Sequence, residues 1–342
     1  MRLMRANDGA PSTVDGPADS GVCSAPFPRM HVQPPTPPRW KVTVVLTVGV
    51  LAISSASIFV RFAFGAGGEK SFGISLLLGS GRLLVASALL LPAWISLLRQ
   101  PAIPRRALWL SAVSGIALAL HFATWFTSLA YTTVTASTVL VTLGPVWTAV
   151  IGTWMGIERL SARSWVGILL ALGGALLIGL SDSQSGADPM ASNPILGDLL
   201  AFAGGVLAAV YRLLGRGAQR GGLAIGAYAA VAYGVGGLFL LPGPALFGLP
   251  PGLPAYAQYN LAFYFWLVVL AVVPQLVGHT STNWAVRWFS PTLISLLVLF
   301  EPVASSVLAW LFFGEVAGPA VWLGGGVVLA GVALATSRGL EG

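Results

Sequence analysis

Apolar residues dominate this chain in long runs of about 20 positions, the length that an α-helix needs to cross a bilayer core of roughly 30 Å. Short segments between the runs carry most of the charge. The strands of a membrane β-barrel would instead alternate apolar and polar residues over about 10 positions. We therefore predict an all-α polytopic membrane protein with ten transmembrane helices, at roughly 41–64, 73–98, 107–130, 133–155, 164–180, 193–214, 223–241, 260–286, 291–313 and 319–336.

Composition supports this prediction, because 56% of the 342 residues are hydrophobic, 8% are charged and the mean hydropathy is +0.83. A soluble domain has about 25% charged residues. The formal charge of +7 does not indicate a nucleic-acid partner, since the basic residues occur singly between apolar runs. All but three of the 18 lysines and arginines fall on one side of the predicted membrane, the exceptions being Arg61, Lys70 and Arg82. This bias predicts cytoplasmic N- and C-termini in the cell inner membrane.

Positions 1–40 are rich in proline, serine, glycine and aspartate, and we expect them to form a disordered cytoplasmic tail. The tail lacks the apolar core of a signal peptide. Its aspartates argue against a mitochondrial transit peptide. Initiation at Met30 is an alternative reading of this region. The single cysteine, Cys23, allows no internal disulfide.

One stretch of the chain occurs twice. Positions 135–174 align without a gap to 292–331, so that Pro145 falls on Pro302 and Gly174 on Gly331. The same frame aligns Glu158 with Glu315, Trp165 with Trp322 and Gly167 with Gly324. Five predicted helices separate each position from its copy, so the copy crosses the membrane in the opposite direction. We therefore predict two inverted five-helix repeats, at 41–181 and 193–337, an arrangement typical of secondary transporters.

These motifs resemble the EamA-like branch of the drug/metabolite transporter superfamily. The residues that carry the resemblance are Pro145 through Glu158 to Gly174, Glu301-Pro302 through Gly314-Glu315 to Gly331, Arg82, Gly197-Asp198, Gly278-His279 and Asn283-Trp284-Ala285. The resemblance implies a central cavity lined mainly by the first, third and fourth helices of each repeat. It implies no particular solute, because members of this branch move amino acids, other metabolites, and quaternary or toxic compounds.

Glu301 is the one acidic residue near the centre of a predicted helix, and its position in the first repeat is occupied by Gly144. A carboxylate inside a membrane is protonated, paired or in contact with water. We therefore consider Glu301 a candidate site for a proton or a cationic solute. The structural alternative is a hydrogen bond to a neighbouring helix, aided by a local break at Pro302.

The two intramembrane histidines, His121 and His279, are also related by the repeat, and helical spacing places them on the same faces as Trp125 and Asn283 respectively. Histidines at such sites carry protons or recognise solutes. The alternative is that each only joins two helices through a hydrogen bond. Arg82 lies about nine residues inside its helix, too deep to reach the interface easily. It is a candidate partner of Glu301 or of an anionic solute group, with structural pairing as the alternative.

Trp125, Tyr211 and Trp284 are candidates for an aromatic lining that takes apolar or cationic solutes. Tryptophans near helix ends are otherwise interface anchors. The paired prolines, Pro145 and Pro302, predict helix breaks. Gly174 and Gly331 predict close helix packing, within one chain or across a homodimer face.

No catalytic residue, metal site or cofactor is predicted, because the chain has no HExxH, GxSxG or phosphate-loop motif. We predict a secondary-active exporter of a small organic metabolite, either amino-acid-like or amphiphilic and cationic. It would work by alternating access, with proton coupling as a hypothesis. The predicted partners are the lipid bilayer, the solute and protons. The alternatives are a gradient-independent facilitator or exchanger of the same fold, a membrane enzyme, and a non-transporting helper protein.

Overall fold

A computed structural model of the chain describes residues 37–68, 71–132, 134–157, 159–183, 193–247, 259–313 and 319–336. Every regular element within these ranges is helical. The α-helices are α1 (Arg39–Ser54), α2 (Ala56–Gly67), α3 (Phe72–Leu89), α4 (Leu91–Leu98), α5 (Arg105–Tyr131), α6 (Val134–Val141), α7 (Gly144–Trp154), α8 (Ala162–Ser183), α9 (Pro194–Arg220), α10 (Ile225–Leu240), α11 (Gly243–Leu246), α12 (Leu261–Leu270), α13 (Thr280–Ala285), α14 (Pro291–Val298), α15 (Glu301–Phe313) and α16 (Pro319–Thr336).

Seven helical stretches among the described residues are long and apolar enough to cross a membrane, by length and composition. Two shorter apolar helices, Ala162–Gly174 and Trp322–Ala335, accompany them. The chain is therefore a multi-pass membrane protein, and the full count of ten remains a prediction. The predicted tail lies almost wholly outside the described residues, and α1 begins at Arg39, just before the predicted end of that tail.

Two predicted spans are broken at equivalent positions. The span at 133–155 consists of α6 and α7, and the span at 291–313 consists of α14 and α15. Pro145 and Pro302 occupy the first turns of α7 and α15. Proline has no backbone N–H to donate and fits the first turn of a helix, so each proline favours a new helix start at that point. The second helix of each pair begins at the same position of the repeat, which is Gly144 in the first copy and Glu301 in the second.

The first and eighth predicted spans also deviate from a single α-helix. The first is divided at Ser55 into α1 and α2, and the eighth contains a π-helical segment, Ala271–His279, between α12 and α13. Pro274 lies inside this segment, where it removes one backbone donor. The π-helical segment packs against α1 at Gly278, where a Cβ atom would lie 2.6 Å from the Cγ1 atom of Ile53. Wide helical turns of this kind are frequent at functional sites.

The main core lies where α5 packs against α9 and α10, and where α10 packs against α3. Another interface joins α8 to α16, and its glycine contacts are reciprocal. A Cβ atom at Gly167 would lie 2.7 Å from the carbonyl oxygen of Gly331, and one at Gly174 would lie 2.6 Å from that of Gly324. Because the repeat aligns Gly167 with Gly324 and Gly174 with Gly331, the two helices meet through equivalent surfaces.

Candidate functional site

A small, partly open cavity of about 30 Å³ lies where the broken helices meet α5, α9 and α13. Its lining comes from the first, third and fourth predicted spans of both repeats, as the family resemblance implies. The lining residues are Ile53, Ala56, His121, Trp125, Val141, Thr142, Gly144, Pro145, Ala208, Arg212, His279, Thr282, Ser295, Val298 and Glu301. A cavity measured in this way needs about 10–15 Å³ to hold one water molecule. This cavity therefore has room for only a few waters, and it is contracted compared with an ordinary ligand pocket of about 300–1,000 Å³.

The charged residues of the lining are Arg212 on α9 and Glu301 at the start of α15. Glu301 is 5% exposed and interacts electrostatically with Arg212 and with Arg82. The Nη1 atom of Arg212 is buried and has no hydrogen-bond partner among the described residues. Gly144 forms the wall beside it, because a Cβ atom at Gly144 would lie 3.1 Å from this nitrogen. One guanidinium nitrogen beside the cavity is therefore available for a further acceptor.

Arg82 lies behind the cavity lining, on α3. Its side chain is fully buried, and its guanidinium carbon lies 4.1 Å from the ring centroid of Phe122 and 5.8 Å from that of Phe126. None of its three guanidinium nitrogens has a hydrogen-bond partner in the part of the chain that the structure describes. A cation over an aromatic face is stabilised by the ring quadrupole. Arg82 thus adds a second positive charge next to the cavity without bonding to Glu301.

The two histidines both line the cavity and contact the aromatic residues around it. The Nδ1 atom of His121 lies 2.9 Å from the carbonyl oxygen of Gly204. A carbonyl oxygen only accepts hydrogen bonds, so Nδ1 carries the hydrogen. His121 also stacks with Trp125 at 5.8 Å between ring centroids, and His279 meets the Phe122 ring edge-to-face at 5.6 Å. Each histidine therefore contacts a neighbouring helix and also faces the cavity. Both a structural role between helices and a role in binding a proton or solute are compatible with these contacts.

Tyr211 and Asn283 form a hydrogen-bonded pair beside the lining residues. The Asn283 side-chain amide donates to the hydroxyl of Tyr211, and it also lies 3.4 Å from the hydroxyl of Tyr233. The backbone oxygen of Asn283 accepts a hydrogen bond of 2.9 Å from the Gln219 side chain. This network joins α9, α10 and α13, so it fixes the position of α9, which carries Arg212.

The remaining candidates lie elsewhere. Trp284 packs edge-to-face with Trp288 in a separate apolar cluster and does not line the cavity. Gly174 and Gly331 are buried between α8 and α16 of one chain, which accounts for their close packing without a second copy. Pro145 lines the cavity. Pro302 lies in the first turn of α15, and its side chain is outside the described residues, as are Glu158 and Glu315.

Sequence reasoning missed Arg212, because it was counted only among the basic residues that indicate the cytoplasmic side. One signal was present in the sequence, since Arg212 follows Tyr211, which was already a candidate. The other is visible only in the structure: the sixth span was predicted to end at 214, but α9 continues to Arg220. Arg212 therefore lies eight residues, or about 12 Å at 1.5 Å per residue, before the end of its helix. Among the described residues, no group of three or more histidine, cysteine, aspartate or glutamate side chains is placed to hold a metal ion.

Comparison with known proteins also divides the chain into two related halves. The EamA-like transporter family matches the sequence twice, over residues 44–180 and 195–337. The chain belongs to the EamA-like transporter family. The two matched segments correspond to the two halves that line the cavity, and family membership points to a transporter rather than an enzyme.

Relatives of this EamA-like protein agree with the assignment. A protein of Archaeoglobus fulgidus described as an uncharacterized transporter is 28% identical over 263 residues, which cover 75% of this chain and 86% of the relative. A probable terminal-alkyne amino-acid exporter of Streptantibioticus cattleyicolor is 26% identical over 206 residues, which cover 60% of this chain and 64% of that protein. A crystal structure with 21% identity superimposes with a TM-score of 0.67 over 89% of this chain and all of the other, which shows the shared fold.

Proposed function

We propose that this EamA-like protein is a secondary-active exporter of a small organic metabolite, working by alternating access. The observation that carries the proposal is the interior cavity, to which both halves of the chain contribute charged or titratable side chains. Few ionisable groups lie deep in a membrane protein, and those that do typically mark the path of a solute or an ion.

The proposed architecture has ten transmembrane helices in two inverted repeats, at 41–181 and 193–337, with both termini in the cytoplasm of the cell inner membrane. The reciprocal contacts of Gly167 with Gly331 and of Gly174 with Gly324 support a pseudo-two-fold relation between the halves. So do the equivalent helix breaks at Gly144 and Glu301. Two halves related in this way can exchange conformations, which opens one central site to each side in turn.

The contracted cavity corresponds in this proposal to a closed state of the cycle. In the middle of α2, whose C-terminal end we assign to the external side, the ring of Phe62 stacks on Trp266 of α12 at 4.6 Å between centroids and contacts Phe313 of α15 at 5.1 Å. These contacts join the two repeats. Release of a solute to the outside would separate them.

Of the two solute classes considered, we favour the amino-acid-like class over the amphiphilic cations. Two guanidinium groups, those of Arg82 and Arg212, accompany the single carboxylate of Glu301 around the cavity. A cationic solute would face net repulsion at such a site. The name of the Streptantibioticus relative, an amino-acid exporter, points in the same direction.

The protein's solute is best identified by comparing metabolites in medium and cells with the protein absent, at its normal level and overproduced. We expect at least one compound to accumulate inside cells on loss and in the medium on overproduction. A facilitator of the same fold would show counterflow without any imposed ion gradient. Chemical conversion of a compound by the purified protein in detergent would indicate an enzyme. The absence of any protein-dependent compound would contradict transport and leave the helper role.

Proton coupling is proposed for Glu301, which is nearly buried and lies beside two cations. In proteoliposomes we expect Glu301→Gln to abolish the response of solute flux to an imposed pH gradient, because glutamine cannot bind and release a proton. Glu301→Asp, which keeps a titratable carboxyl group, should retain part of the response. An unchanged pH response in Glu301→Gln would end the proton-coupling hypothesis.

A further inference from the structure

We propose that the cavity binds the carboxylate of its solute, with Arg212 as the direct anchor and Arg82 as a second cation behind the lining. This inference rests on the proposed transport function, which it deepens by naming the charged group that the site recognises. It also assigns a binding role to Arg212.

The geometry around Arg212 supports a role in binding. The residue lies on the cavity wall, and its Nη1 atom is buried beside Gly144 with no acceptor among the described residues. A buried donor of a charged group without a partner costs free energy. A carboxylate in the cavity would accept this hydrogen bond, and the planar guanidinium group is well suited to hold a carboxylate.

The charges around the cavity also favour an anion. Arg82 is fully buried, and its contacts are the faces of Phe122 and Phe126 rather than an acceptor. Glu301 can balance one of the two positive charges but not both. A buried charge without a counter-charge is strongly unfavourable, so a solute carboxylate would complete the balance. A zwitterionic amino acid carries no net charge, so its carboxylate would meet Arg212 and its ammonium group would face Glu301, while the excess positive charge would remain.

The broken helices add to the positive potential at the same place. Gly144 begins α7, and Pro145 follows it on the cavity wall. The N-terminus of a helix carries a partial positive charge, which favours an anion nearby. In the second repeat this position is Glu301, a carboxylate. In the first repeat it is glycine, which leaves the helix start and Arg212 without an internal carboxylate between them.

Arginines recur along α9 from the cavity towards the end of the helix. Arg212, Arg216 and Arg220 are spaced by four residues, so they lie near one face at steps of about 6 Å. Arg216 is buried and Arg220 is exposed. In the proposed topology this end of α9 faces the cytoplasm. The series would thus attract an anion from the cytoplasm towards Arg212, the direction that export requires.

The test uses full-length protein purified in detergent and a panel of matched probes. Each of the twenty protein amino acids is paired with its carboxamide, and short mono- and dicarboxylates are added. Binding is measured as stabilisation against thermal unfolding. We expect at least one carboxylate to stabilise the protein and its amide to bind on the order of 10- to 100-fold more weakly, which corresponds to the loss of one charged hydrogen bond.

Variants then assign the anchor. Arg212→Gln should lose the preference for the carboxylate over the amide, and Arg212→Lys should keep part of it because the positive charge remains. Gly144→Glu would place a carboxylate beside Arg212 that competes with the solute, so it should also abolish binding. Gly144→Gln is the matched control for size, since it crowds the same nitrogen without adding charge. If Gly144→Gln fails to fold, the two Arg212 variants still test whether Arg212 binds the carboxylate.

Three results would overturn the inference: no probe carboxylate stabilises the wild-type protein, the amides bind as well as the carboxylates, or Arg212→Gln keeps full discrimination. Transport is tested separately, by counterflow of a bound carboxylate in proteoliposomes. Binding that depends on Arg212 without any flux would refute the transport function while the anchor stands. Flux of a compound that lacks an anionic group, unaffected by Arg212→Gln, would refute the anchor while transport stands.

Discussion

The contact between α8 and α16 is close enough for a single methyl group to test it. A Cβ atom at Gly331 would lie 2.7 Å from the carbonyl oxygen of Gly167 and would also meet the backbone of Ala171. Gly326, five residues earlier on the same helix, is exposed and would meet nothing within 4 Å. Gly331→Ala and Gly326→Ala therefore make the same chemical change on one helix, with the contact present in only one of them.

The expected magnitude follows from these distances. Ordinary van der Waals contact begins at 3.4 Å, so the oxygen of Gly167 would have to retreat by about 0.7 Å. Since it belongs to the backbone of a helix, α8 and α16 must separate. Replacing glycine by alanine inside a helix gains up to about 1 kcal/mol in intrinsic propensity at either position. Because both variants share this gain, it cancels when they are compared. Crowding of a packed interior costs about 1–3 kcal/mol, and only Gly331→Ala should carry this cost.

The assay is thermal unfolding of the two purified variants in the same detergent, with wild-type protein alongside. We expect Gly331→Ala to unfold at a lower temperature than Gly326→Ala. Gly167→Ala meets the same interface from the other side, where its Cβ atom would lie 2.7 Å from the oxygen of Gly331. The double variant with Gly331→Ala should lose less stability than the two single losses added together, because one separation of the helices relieves both contacts.

Equal unfolding temperatures for Gly331→Ala and Gly326→Ala would refute the close approach. Full additivity of Gly167→Ala and Gly331→Ala would also count against it, since independent effects would mean that the two glycines do not share one contact. Either result would remove the reciprocal packing that supports the pseudo-two-fold relation between the repeats.

Two further matched pairs test the site. Trp125→Ala should reduce counterflow per folded protein, because Trp125 lines the cavity. Trp284→Ala should leave counterflow closer to wild type, because the Trp284 ring packs against Trp288 outside the cavity. A larger loss from Trp284→Ala would contradict this placement. Phe122→Leu should destabilise the protein by about 1–2 kcal/mol, because it removes the cation–π contact with Arg82. Phe126→Leu should destabilise it less, because the Phe126 ring lies 5.8 Å from the guanidinium carbon. A larger loss from Phe126→Leu in thermal unfolding would show that the Phe122 ring is not the main contact of Arg82.

The repeat predicted the part of the candidate site that consists of equivalent residues from the two halves. His121 and His279 are equivalent in the two halves, and both line the cavity. Glu301 and Pro145 also do so. Arg212 was not predicted, because its charge already had an explanation in the topology of the chain. The count of basic residues on each side of the membrane does not distinguish a residue at the interface from one that lies about 12 Å inside a helix.

The membrane character and the duplication follow from the sequence, because they depend on the length and the spacing of the apolar runs. The proposed inversion rests on the predicted number of those runs. The convergence of particular side chains depends on how each helix is rotated about its axis, and helix packing sets that rotation. Packing places Arg82 behind Phe122, directs Arg212 to the cavity wall beside Gly144, and turns Trp284 towards Trp288. Broken and π-helical turns shift these rotations further, since they change the angle at which the following residues leave the helix.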